Sequence, residues 1–123
     1  MSLSYHQYKG WMVKAPSTFL LATPDEISKV CNGMGPKGSG WLVPDTMYGL
    51  NLSAAGDVHD WMYAYPETFN RKECDDVFHE NMQGIIKQHG GFGLLQWLRN
   101  RRALKYYLAV RVGGAKHFGG TCE

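Results

Sequence analysis

His59 and Asp60 stand side by side in Gly56-Asp57-Val58-His59-Asp60-Trp61-Met62-Tyr63, and both side chains can do proton or metal chemistry. On a helix His59 and Tyr63, four apart, share a face, and Asp60 lies a step of ~100° around the axis. A ligand over that edge could touch both His59 and Asp60. Downstream, Asp75 and His79 are again four apart, with Phe78 on the same face. If the two segments are antiparallel helices, Asp75 can reach the imidazole of His59, fix its tautomer and support its positive charge. An imidazole held in this way is a general base for water. A carboxylate beside it, facing a glycine-rich loop, offers hard oxygen donors that suit calcium better than zinc. Such a cation polarises an ester carbonyl and stabilises the oxyanion. These residue types therefore point to metal-assisted ester hydrolysis without a covalent nucleophile.

The elements that must position these groups are mostly α. Asn51-Leu52-Ser53 opens a helix over about 51–64, which Pro66 terminates. Gly56 weakens it by ~1 kcal/mol relative to alanine. Thr68 or Asn70 caps a second helix over about 70–88, ended by Gly90-Gly91, with Cys74, Val77, Phe78, Met82, Ile85 and Ile86 at helical spacing. The short connection makes the two antiparallel neighbours. A C-terminal helix over about 92–112 carries Leu94, Leu95, Leu98, Leu104, Leu108 and Val112 as its apolar stripe, and a frayed tail over 115–123 follows. Upstream, Thr23-Pro24-Asp25-Glu26 starts a short helix, with Thr23 as cap and the acids complementing the dipole. It ends near Cys31, where Asn32-Gly33 is a stop signal. Residues 32–50 read as a loop with glycine at 33, 35, 38, 40 and 49 and proline at 36 and 44, and a loop that long is usually functional. Residues 1–22 form an N-terminal arm, irregular or briefly extended.

Gly33-Met34-Gly35-Pro36, then Val43-Pro44-Asp45, then His59-Asp60-Trp61-Met62-Tyr63, then Cys74-Asp75-Asp76-Val77-Phe78 carry a resemblance. Taken in that order, over about residues 31–82, they resemble the phospholipase A2 family. The small, disulfide-poor type of bacteria, phage and parvovirus capsids is the nearest form. The resemblance implies a phospholipase A2-like fold and calcium-dependent cleavage of the sn-2 acyl ester of phospholipids. It implies His59 as the general base, Asp60 as the calcium carboxylate, Asp75 as the acid that orients the base and Tyr63 as the tyrosine bonded to that acid. It also implies Gly33 and Gly35 as loop positions giving backbone carbonyls to calcium, with a first carbonyl at Cys31 or Asn32. Secreted members bridge the positions held here by Met62 and Cys74, so that disulfide is absent. The stretch from Gly35 to His59 is longer than theirs by several residues.

Composition bounds the rest. At 123 residues the chain suits a single domain, and 44% hydrophobic content supports a core without disulfides or a structural metal. Cys31, Cys74 and Cys122 form neither a disulfide framework nor a zinc knuckle, which suits a reducing compartment. No transmembrane run or secretory leader is visible in this sequence, so synthesis in the cytoplasm is expected, with release or association with a virion left open. A net charge of +2 gives no reason to expect nucleic acid. The expected partner is a phospholipid membrane surface, met peripherally, and the oligomeric state is not readable. Arg99, Arg101, Arg102 and Lys105 read first as a solvated helix face and next as a contact for anionic headgroups. Trp11, Met12, Phe19, Leu20, Leu21 and Trp41 suit either a membrane-facing rim or a core. Two other functions stand beside the hydrolase. One is a non-catalytic lipid-binding or phage structural module on the same fold. The other is a transition-metal hydrolase using His59, Asp75 and His79.

Overall fold

The computed structural model describes residues 3–31, 46–47 and 49–113. The N-terminal arm is a hairpin rather than an irregular segment. Strand β1 (Leu3–Tyr8) pairs antiparallel with β2 (Trp11–Pro16), from Leu3 opposite Pro16 to Tyr8 opposite Trp11. Lys9 and Gly10 join them with φ of 51° and 87°. Two consecutive positive φ values make a turn whose twist matches the strands. Lysine is an uncommon first residue for such a turn, which is why the segment does not read as a hairpin. Along β2 the burial alternates, with Val13 and Ala15 inside and Met12 outside, the period-two pattern of a half-covered sheet.

Helix α1 (Ser17–Leu21) tucks Phe19 into the core. Helix α2 (Pro24–Cys31) starts as expected: Thr23 Oγ1 accepts from Glu26 N at 3.1 Å and Glu26 Oε1 accepts from Thr23 N at 2.8 Å, a reciprocal capping box. The expected loop over 32–50 falls largely outside the described residues. At its end β3 (Thr46–Met47) and β4 (Leu50–Asn51) make a minimal antiparallel pair, where plain loop was expected.

The three long helices lie along the chain where the sequence places them. They are α3 (Ser53–Tyr63), α4 (Arg71–His89) and α5 (Gly93–Gly113). Asn51 belongs to β4, and its Oδ1 accepts from Ser53 N at 2.7 Å just before α3. Of the two candidate caps for α4, Asn70 is used, accepting from Glu73 N at 2.8 Å. Gly90, at φ 74°, ends α4 in a conformation that suits glycine. Helices α3 and α4 are antiparallel: Tyr63 meets Asp75 while His59 meets Phe78. The core lies between them and the hairpin, around Val13, Phe19, Val58, Met62, Phe78 and Met82.

Two features bind the outer elements to α4. Asn81 Oδ1 accepts from Lys14 N at 2.7 Å and its Nδ2 donates to Lys14 O at 2.9 Å. Two turns on, Gln88 does the same for Met12, at 2.8 Å both ways. Side-chain amides thus take the place of a third strand along β2, satisfying an edge that would otherwise be open to other chains. Helix α5 departs from expectation. Leu94, Leu104, Leu108 and Val112 are exposed, and the buried residues are Arg99, Ala103 and Val110. Apolar residues lie on both sides of α5, so spacing alone chose the outward side. The inward side presents Ala103 and Val110 to the core, and Tyr107 stacks on His79 of α4. Arg99 is buried at 4% exposure while Arg101, Arg102 and Lys105 are exposed, so the four do not make one solvated face.

Candidate functional site

The two central helices bring His59, Tyr63 and Asp75 into direct contact. Asp75, fully buried on the second turn of α4, accepts at Oδ1 from His59 Nε2 at 2.8 Å and from Tyr63 Oη at 2.6 Å. The 59 and 63 positions share a face of α3 because they are one turn apart, and that face lies on α4. The imidazole ring is held between Tyr63 and Phe78, with centroids 4.2 and 4.5 Å away. An ionised carboxylate only accepts hydrogen bonds, so Nε2 carries the ring proton and Nδ1 carries the lone pair. Asp60 is the next residue on α3, buried at 6% exposure, with Oδ1 4.0 Å from that Nδ1.

Electrostatics keep the pair in the form a base requires. Burial lowers the His59 pKa below its ordinary value and prevails over the opposing pull of Asp75, so the ring is neutral at pH 7. Burial alone would raise the pKa of Asp75. The hydrogen bonds from His59, Tyr63 and Arg111 outweigh it and hold the carboxyl below its usual range. Burial, together with Asp75, raises the Tyr63 phenol, which stays protonated and keeps donating.

Arg111, from the last turn of α5, was not foreseen. Its Nη1 donates to Asp75 Oδ2 at 2.8 Å, so both carboxylate oxygens are engaged. Arg71 Nη1 lies 3.8 Å from the same oxygen and donates to the carbonyls of Val110 and Arg111, each at 3.1 Å. Arg71 and Asp75 are one turn apart on α4, and that spacing was the one available signal. Nothing in the spacing joins Arg111 to Asp75 across 36 residues.

The other expected site residues divide. Asn32, Gly33 and Gly35, the loop positions assigned to calcium, lie outside the described residues, as does Trp41. Asp60 is an oxygen donor beside the base, which fits a hard cation by donor type. Among the described residues no three His, Cys, Asp or Glu side chains gather as metal ligands. In particular His79 stacks on Tyr107 of α5, with centroids 4.8 Å apart and planes at 22°. It serves the α4–α5 contact there, as does the Asp76 carboxylate, which accepts from Tyr107 Oη at 2.7 Å. Cys74 is a buried free thiol whose pKa burial pushes up to about 12, so it is unreactive at neutral pH. Of the apolar residues near the N-terminus, Phe19 is core while Met12 and Leu21 are exposed. Among the described residues no helix is long and apolar enough to cross a membrane. Compared with protein-family models, with curated proteins and with solved structures, the chain matches none.

Proposed function

We propose that this protein is a calcium-dependent hydrolase of the phospholipase A2 type, cleaving the sn-2 acyl ester of phospholipids. The observation that carries the reading is the buried His59–Asp75 pair, with Nε2 bonded to Asp75, Tyr63 on the same oxygen and Asp60 beside Nδ1. That arrangement accords with the order of motifs in the sequence. His59 Nδ1 takes a proton from water as the water oxygen attacks the ester carbonyl. Asp75 keeps Nε2–H in place and stabilises the imidazolium that forms. The imidazolium then returns the proton to the departing glycerol oxygen, leaving a free fatty acid and a lysophospholipid. Tyr63 holds Asp75 in register. Asp60, with backbone carbonyls at Asn32, Gly33 and Gly35, would hold calcium. When bound, that ion supplies polarisation of the ester carbonyl and charge neutralisation at its oxygen.

The test is fatty-acid release from mixed-lipid vesicles in calcium and then in excess chelator. Release that needs calcium, with lysophospholipid as co-product, is expected. No release from either anionic or zwitterionic vesicles would overturn the hydrolase. It would leave a lipid-binding module in which His59–Asp75 is a structural hydrogen bond.

A further inference from the structure

The outward face of α5 has the wrong chemistry for open water. Arg101 is nine positions from the buried Val110, which at ~100° each puts it half-way around the axis, so Arg101 marks the middle of the outward side. Around it stand Leu94, Trp97, Leu104, Leu108 and Val112, exposed by between 46 and 86%. A row of this kind along a 21-residue helix, about 31 Å long, exceeds the scattered apolar residues of an ordinary surface. At its N-terminal end Phe92, Gly93, Leu94, Leu95 and Leu98 line an open groove of about 530 Å³ with almost no polar surface. Arg101 and Lys105 lie within the row, and α5 contains no acidic residue.

We propose that this face of α5 is a docking surface for a bilayer containing anionic phospholipid, with the helix lying flat in the headgroup region. The charge pattern selects this occupant. A second copy of the chain would set Arg101 and Lys105 against another acid-free helix. In a symmetric pairing of this face with itself no acid of α5 meets them, and of the acids elsewhere Asp57, Asp76 and Glu80 already face Lys9, Lys72 and Lys14. A bilayer meets both requirements at once: leucines enter the acyl boundary while the long cationic side chains reach up to phosphate. Trp97, with the Arg101 guanidinium 5.0 Å above its ring, suits the interface between the two regions. The proposal concerns binding to the bilayer alone and does not rest on the hydrolase reading. Binding and turnover are therefore measured apart.

The full chain is floated, in excess chelator, with vesicles of phosphatidylcholine alone and of phosphatidylcholine with phosphatidylglycerol. Binding to the second and much weaker binding to the first is expected. Arg101→Gln with Lys105→Gln should weaken binding to the anionic vesicles about thirtyfold, and Leu104→Gln with Leu108→Gln at least about tenfold. Both pairs should keep the wild-type circular dichroism, since all four residues are exposed. Both should also leave hydrolysis of a monomeric short-chain phospholipid unchanged. Equal binding by the variants and the wild type, or no binding to either vesicle, would overturn the proposal. So would a concentration-dependent dimer that Leu104→Gln with Leu108→Gln abolishes, because the face would then belong to a second copy.

Discussion

Asp75 is the residue on which the site turns, because one buried carboxylate receives His59, Tyr63 and Arg111 together. Arg111 matters most among its supports. It donates to the oxygen that the dyad does not use, and without it a buried negative charge loses a charged donor. Arg111→Met should lower the midpoint of urea unfolding, modestly because Arg111 is partly exposed and Arg71 stands nearby. Asp75 should then bind protons more readily, and the acid limb of the pH–rate profile should move. Arg111→Lys should restore part of both effects. A stability loss without any change in the pH profile would make Arg111 purely structural. Tyr63→Phe removes one of the two donors to Oδ1 and should cost about 1 kcal/mol while leaving measurable turnover. The His59–Asp75 pair was legible in the sequence because a short connection sets the two helices side by side, and spacing put Tyr63 on the His59 face, but the bond from Tyr63 to Asp75 came from the resemblance alone. Arg111 was not, since the long-range packing of α5 alone brings it there.

The elements were legible where caps and apolar spacing agreed and illegible where they did not. Asn70, Gly90 and Thr23 gave the ends of α4 and the start of α2 to within a residue or two. Asn70→Ala should cost about 1 kcal/mol by thermal or urea unfolding, as loss of an N-cap does. The hairpin was missed because its turn is Lys9-Gly10 and because the third strand that would announce a sheet is replaced by Asn81 and Gln88. Asn81 carries more of that role, being buried. Asn81→Leu strands the N–H and C=O of Lys14 and should cost about 2 kcal/mol. An unchanged unfolding midpoint would show that β2 finds other partners. On α5 the sequence carries two apolar sides, and only packing tells them apart. The side chosen by spacing was the one that faces outward.

At the scale of the molecule, pH acts on folding through the same buried pair. The His59 pKa is lowered in the native state, so its contribution to stability is complete above about pH 6.5, the ordinary histidine value, and is lost as pH falls below it. Asp75 is also lowered, so its contribution is complete above about pH 4 and is lost on further acidification. Stability should therefore fall in two stages on the acid side. His59→Gln should remove the His59 share of the first stage and leave that of His79, whose pKa burial also lowers, which urea unfolding at a series of pH values would read directly. Catalysis should share that first limb, since only the neutral ring accepts a proton.

The most direct measurement is turnover of His59→Gln against the wild type on calcium-containing mixed-lipid vesicles. Near- and far-ultraviolet circular dichroism would establish that both are folded. A general base contributes about a hundred- to ten-thousandfold, so the variant should lose at least about a hundredfold in rate while keeping the native spectrum. A folded variant that retains most of the wild-type activity would contradict the assignment of His59 as the base.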